Sequence, residues 1–216
     1  MRITRAALEK ALLAGARPLN TGPIDTSGAR PAAVAVPIVL EPEPLLYLVL
    51  RGSHLADHAG EIGFPGGKAD VNDADLRATA AREMREEVGV DESGVTWLGE
   101  LSAIPVITGR YLIFPFVALL NHKTELFVAS GEIDEVLTMP LSPYVLGEKR
   151  IHAVTGEWRG TTVVAPHFPV QNRVLYGATA YITFELIARL AAALDVELPS
   201  LVLETDAPWG RRYRDI

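Results

Sequence analysis

Apolar positions fall into two rhythms along this chain, and the changes from one to the other mark its elements. Met1 to Ala14, with Glu9 and Lys10 set among Ala and Leu, reads as a short amphipathic helix. Ala16 to Pro31 is rich in Gly, Pro, Thr and Ser and reads as an irregular tether. Ala33–Leu40 and Leu45–Leu50 are apolar or β-branched runs separated by Glu41-Pro-Glu-Pro, which predicts two strands joined by a turn. From Gly52 to Asp73 the rhythm stops, and Gly60, Gly63, Pro65, Gly66 and Gly67 mark a long loop. A loop of that length in a compact domain is commonly a functional one.

Helical spacing then returns. Leu76, Ala80, Met84 and Val88 form an apolar stripe, which predicts a helix from Ala74 to Val88 with Asp73 as N-cap, Asp75 in the first turn and Gly89 as stop. Further strands are expected over Val95–Leu101, Leu112–Leu120, Glu135–Pro140 and Thr161–His167, and a core-facing helix over Ala178–Leu194. Helix, strands, loop, helix, strands, helix is the order of an α+β protein with a mixed sheet flanked by helices, without the strict alternation of a doubly wound fold.

Composition narrows the class. The 216 residues, 49% hydrophobic and 22% charged, suit one ordinary globular domain with small appendages. A net charge of −7 gives no long-range attraction for nucleic acid or an acidic membrane surface. The absence of cysteine excludes disulfides, thiolate zinc sites and cysteine nucleophiles. Glu9 and Lys10 interrupt any secretory signal, and Pro37 and Pro115 break the longest apolar runs, so a cytoplasmic protein is expected.

The chemistry concentrates in one helix. At about 100° per residue, Glu83 and Glu87 project within roughly 40° of each other at the edge of the apolar stripe, and Glu86 lies one step further round. Three carboxylates are therefore expected to converge, an arrangement that repels itself unless a cation intervenes. Hard oxygen ligands completed by water and phosphate suit Mg²⁺ or Mn²⁺, and such an ion meets the needs of pyrophosphate hydrolysis. The Gly66-Gly67 turn lets backbone approach the same place. On composition alone, a solvated face laced with Arg82–Glu86 pairs is the favoured reading of this helix.

The whole string decides between these readings. Arg82-Glu83-Met84-Arg85-Glu86-Glu87-Val88-Gly89-Val90 resembles, position for position, the second half of the Nudix box. That resemblance implies a Nudix fold, an α/β/α sandwich, and a metal-dependent pyrophosphohydrolase acting on a small nucleoside diphosphate compound. It makes Glu83, Glu86 and Glu87 the metal-binding and catalytic acids, Gly67 the glycine that opens the box and joins the metal shell, and Arg82 the arginine that orients an acid. The box carries one extra residue between Gly67 and Arg82, which leaves Asp70, Asp73 and Asp75 as candidates for the partner of Arg82.

Phe64-Pro-Gly-Gly-Lys-Ala-Asp-Val-Asn-Asp73 is similar to a run found in the coenzyme A pyrophosphatase branch of that family, and Arg51 to Glu61 resembles the branch's second signature. Ala56, Gly52 and Glu61 depart from that signature, where it has Arg, Ser or Ala, and Gln. Thr108-Gly109, Asp134-Glu-Val136, Pro140-Leu141 and Tyr176-Gly-Ala-Thr-Ala180 also resemble the branch, so the resemblance spans roughly Ala32 to Leu194. It implies cleavage of coenzyme A or an acyl-CoA to 4′-phosphopantetheine and adenosine 3′,5′-bisphosphate. ADP-ribose, dinucleotide and nucleoside triphosphate hydrolysis are rivals, and so is a domain that only binds a nucleotide.

The chain is accordingly divided into a lead-in (1–31), a hydrolase domain (32–195) and a tail (196–216). Arg51, His58, Gly66 and Gly67 are the expected substrate contacts, with Arg51 assigned to the 3′-phosphate of coenzyme A. His54 is weighed equally as a contact or a turn residue, and Glu135 is a candidate base from a separate element. His122, His152 and His167 read as structural or surface residues. Trp158, Trp209 and Arg211 to Arg214 read as frayed or as an oligomer contact, such as one in a homodimer.

Overall fold

The computed structural model describes residues 2–13, 19, 24–121, 124–158, 160–198 and 200–209. His122 and the Arg211–Arg214 stretch lie outside the described residues, as does the side chain of Trp158. Four helices are present among them: α1 (Arg5–Leu13), α2 (Leu76–Val88), the short α3 (Ser142–Val145) and α4 (Gly177–Ala193). The strands are β1 (Arg30–Val39), β2 (Leu45–Arg51), β3 (Ile62–Gly63), β4 (Gly66–Lys68), β5 (Val95–Glu100), β6 (Ile104–Pro105), β7 (Tyr111–Leu120), β8 (Ile133–Pro140), β9 (His152–Trp158), β10 (Thr161–Val170), β11 (Arg173–Leu175) and β12 (Val202–Glu204). No helix among the described residues is long and apolar enough to cross a membrane.

The main sheet is mixed, with β1 and β7 parallel and its other pairs antiparallel. Side-chain alternation divides its residues between two layers. Val36, Ile38, Leu48 and Leu137 are buried on one face with Leu8 of α1 and Leu186 and Leu190 of α4. Ala33, Ala35, Val49 and Ala118 are buried on the other with Ala80, Met84 and Val88 of α2. The result is the expected α+β sandwich of helices about a sheet. A second sheet, ordered β11-β10-β9-β12, adjoins the α4 side.

The chain expected to form a bare loop before α2 builds two strands. β1 and β2 pair only where they join, at Ile38↔Leu46 and Val39↔Leu45, and the wedge beyond is filled by β3 on β2 and β4 on β1. Pro37 fits this opening. Ala35 N–H donates into the wedge to Pro65 O (2.9 Å), and the nitrogen of Pro37, two residues on, faces the same way where no ladder donor is required. The wedge seats Gly66 and Gly67 directly over α2.

Helix α2 starts later than the apolar rhythm suggested. Asp75, extended at φ −160°, is the N-cap, and its Oδ1 accepts from Ala78 N–H at 2.7 Å. Asp73 is therefore not the cap, and its carboxylate is used elsewhere. Gly89 closes the helix in the left-handed conformation (φ 71°) and donates to Arg85 O. The carbonyls of Glu87 and Val88 are met by Ala129 and Phe127 N–H, so the chain leading to β8 runs beside the end of α2.

Elements at both ends join the same body. Ile3, Ala7, Leu8 and Ala11 of the lead-in are buried in the α4-side core. In the tail, β12 pairs parallel to β9, and Glu204 Oε1 and Oε2 lie 2.6 and 3.1 Å from His152 Nδ1 and His167 Nε2. Trp209 stacks on Tyr176.

Candidate functional site

Arg82 organises one side of the site. Its Nε donates to Asp73 Oδ1 (3.0 Å) and its Nη2 to Asp73 Oδ2 (3.1 Å), a bidentate pair. Asp73 also accepts from Thr79 Oγ1 (2.8 Å) and from Asp70 N–H (2.9 Å). The extra residue in the loop thus delivers an acid from outside the helix onto Arg82, and Asp73 is the partner among the three candidates. Arg82 Nη1 meets Glu83 Oε1 (2.9 Å) and Glu86 Oε2 (3.2 Å), and Nη2 donates to Lys68 O (3.2 Å). These contacts hold the Asp73 carboxyl well below the usual carboxylate range and raise the guanidinium still further.

The other side is poorer in partners. Glu87 is 4% exposed, accepts from Gly66 N–H (3.1 Å), and has Arg51 Nη1 at 3.8 Å, beyond hydrogen-bond reach. Burial pushes its carboxyl up to about 7; Gly66 and Arg51 oppose that shift, and Glu83 and Glu132 add to it. Burial also raises Glu83, against Arg82. Arg51 lies between Glu87 and Glu132, whose Oε2 is 3.9 Å from Nη2, and the buried Nε of Arg51 has no hydrogen-bond partner.

Gly67 closes the site from above. A Cβ there would fall inside the Glu83 carboxylate, so any side chain would displace the acid. Among the described residues, no three acidic or histidine side chains stand close enough to enclose an ion. Glu83 and Glu87 face the glycine strand, and the half-exposed Glu86 shares Arg82 Nη1 with Glu83. The donor set nevertheless fits a hard divalent cation. Two part-desolvated carboxylates and adjacent backbone are the oxygen donors that Mg²⁺ or Mn²⁺ takes, since Mg²⁺ keeps several waters.

Glu135 is not brought to these acids. It shares the alternation of Leu137 and Met139, which face the α4-side core, and it pairs with Arg173 at 3.3 Å. Glu135 stands opposite Leu50, and Arg51, one position further on, points to the other face. The acid from a separate element that the structure does supply is Glu132, three positions earlier. Gly52 N–H binds Glu132 O at 2.7 Å, and the Glu132 charge reaches both Glu83 and Glu87. Its backbone tie to Gly52 spans some eighty positions and left no local mark in the sequence. His58 lies beside the Arg51 end and pairs with Glu61 at 2.8 Å.

A family model described as the NUDIX domain matches residues 29–159. The chain is 36% identical over 157 residues to the uncharacterized Nudix hydrolase NudL of Photorhabdus laumondii, covering 73% of this chain and 83% of that one. It is 35% identical over 162 residues to the uncharacterized Nudix hydrolase NudL of Yersinia pestis, covering 75% and 80% respectively. Among solved structures, a MutT/nudix family protein from Enterococcus faecalis aligns over 82% of this chain and 66% of its own, with a TM-score of 0.50 and 13% identity, a likeness of fold alone. With the box helix, the glycine strand above it and these matches together, the chain belongs to the Nudix hydrolase family.

Proposed function

We propose that this Nudix hydrolase cleaves the diphosphate of coenzyme A or an acyl-CoA, giving 4′-phosphopantetheine and adenosine 3′,5′-bisphosphate. The observation that carries this reading is the Phe64–Asp73 run. It resembles the coenzyme A branch, and its extra residue is put to use in the Asp73–Arg82 brace.

Glu83 and Glu87, with backbone at Gly67, are the residues that would hold Mg²⁺ or Mn²⁺. When bound, the ion neutralises charge building on the phosphoryl oxygens and acidifies a water. Arg82 holds Glu83 in place through the Asp73 brace and holds Glu86 at the rim. Arg51 lies 3.8 Å from Glu87, one of the acids that would hold the ion, which supports a contact with the diphosphate, where the guanidinium supplies a second cation, rather than with the 3′-phosphate on the ribose. Glu132 holds Arg51 from the solvent side.

The test is kcat/KM for coenzyme A, dephospho-coenzyme A, ADP-ribose and NADH under one Mg²⁺ or Mn²⁺ condition, with wild type and Arg51→Gln. Coenzyme A is expected to lead, and Arg51→Gln to lower coenzyme A and dephospho-coenzyme A by the same factor. Preference for ADP-ribose or NADH would overturn the substrate and leave the family chemistry standing. A selective loss of coenzyme A turnover in Arg51→Gln would return Arg51 to the 3′-phosphate.

A further inference from the structure

The geometry points to Glu61 as a positioning residue that fixes the His58 ring beside Arg51, so that His58 offers Nε2 as a second donor to the substrate's diphosphate oxygens. This rests on reading the Arg51–Glu87 end of the site as the phosphate site. One ring nitrogen is already committed, since Nδ1 lies 2.8 Å from Glu61 Oε2. The His58 ring is more than half exposed, and Nε2 is the nitrogen turned away from that carboxylate.

The turn that carries the pair is pinned to Arg51 from both sides. Arg51 N–H donates to Glu61 O (3.0 Å), Gly60 N–H donates to Arg51 O (3.1 Å), and Glu61 N–H closes the turn on His58 O (3.2 Å). Register gives the direction. Ile62, opposite Leu50, is buried with it in the α4-side core, so Glu61 and Arg51, each one step along, share the opposite face toward α2.

His58 also takes φ 58°, a left-handed conformation that costs a residue with a Cβ and persists where the surroundings over-determine it. The backbone bonds just named do so. The charged groups facing the ring are Glu61 and Asp57 in its own segment and Arg51 on β2. Glu61 and Asp57 favour the imidazolium, burial and Arg51 oppose it, and the balance raises His58 above an ordinary histidine. A charged donor beside Arg51 suits an oxyanion and adds to the local positive charge in a chain of net charge −7.

The experiment is a histidine NMR titration of the full chain with Mg²⁺, with and without methylenediphosphonate, in wild type, Glu61→Gln and His58→Asn. Asn is chosen because it tolerates the left-handed backbone, and Glu61→Gln is an independent arm that leaves the turn residues in place. In wild type the diphosphonate should raise the His58 midpoint. Glu61→Gln should lower that midpoint toward an ordinary histidine, and both variants should weaken diphosphonate binding about fivefold to tenfold. The loss in Glu61→Gln should grow as pH rises through the neutral range. In turnover, KM should rise more than kcat falls. Diphosphonate binding that leaves the His58 resonance and both variant affinities unchanged would overturn the inference and make the pair a loop brace. Absence of diphosphonate binding in wild type would instead overturn the phosphate reading of the site, and the inference with it.

Discussion

Arg82 and Glu87 lie on one helix and treat their charges in opposite ways. Arg82 is met by Asp73, Glu83, Glu86 and the Lys68 carbonyl, all within 3.2 Å. Glu87 is more deeply buried, yet its nearest cation stops at 3.8 Å and its carboxyl is pushed up to about 7. A charge so fully paired is a brace complete within the protein. A buried acid left so poorly matched costs stability unless something external compensates it. What the fold uses to hold the loop is thus distinct from the acid it leaves poorly matched.

Removing the two acids that would hold the ion should have the largest effect. Glu83→Gln and Glu87→Gln are expected to lose several orders of magnitude in kcat, read from steady-state turnover at saturating Mg²⁺ or Mn²⁺. Glu87→Gln should at the same time melt higher than wild type without metal. Because the folded-state value lies above the ordinary 4.5, wild-type stability falls as pH rises from about 4.5 to about 7 and stays low above that. The amide removes this penalty, which is on the order of 3 kcal/mol.

Breaking the brace should do the reverse to stability. Asp73→Asn leaves Arg82 with Glu83 and Glu86 but without its bidentate partner, so a loss of about 2 kcal/mol and a Tm lower by about 4–8 °C are expected. Turnover should fall with it, through the freed Glu83. Unchanged melting would mean that the pair is no brace.

What could be read from the residues followed the range of the forces involved. The stripe Leu76, Ala80, Met84, Val88 and the stop at Gly89 are local, and both stand in the structure. Asp73 and Asp75 could not be told apart as caps, because either spacing suits a helix start and only the fold in space brings Arg82 to Asp73. The structure sets Glu135 against Arg173 and Glu132 near Arg51, a placement fixed by pairing across the sheet that no local pattern carries. Strand β9, with Gly156 and Glu157, and the short β12 lack an apolar alternation and are strands by pairing. Glu61, a departure from the coenzyme A signature, is accounted for by its bond to His58.

Gly67→Val tests the boundary between the two regions, since the new side chain would press on Glu83 while the β4 backbone pairing stays available. Turnover should drop at least about a hundredfold with a smaller proportional loss of stability. Matched losses would make Gly67 a turn residue only. The smallest effect is expected of Glu135→Gln, whose half-exposed pair with Arg173 is worth less than about 1 kcal/mol. Turnover should stay within about twofold of wild type, and a loss of orders of magnitude would restore Glu135 to the chemistry.

The most direct test of the central claim, that Glu83 and Glu87 form a cation site held open by the brace, is the melting temperature at pH 8 with and without Mn²⁺ for wild type and Glu87→Gln. Wild type should melt lower without the ion and rise when it is added. Glu87→Gln should start higher and respond little. A Glu87→Gln protein that melts below wild type without metal, or that gains as much from Mn²⁺, would contradict the account.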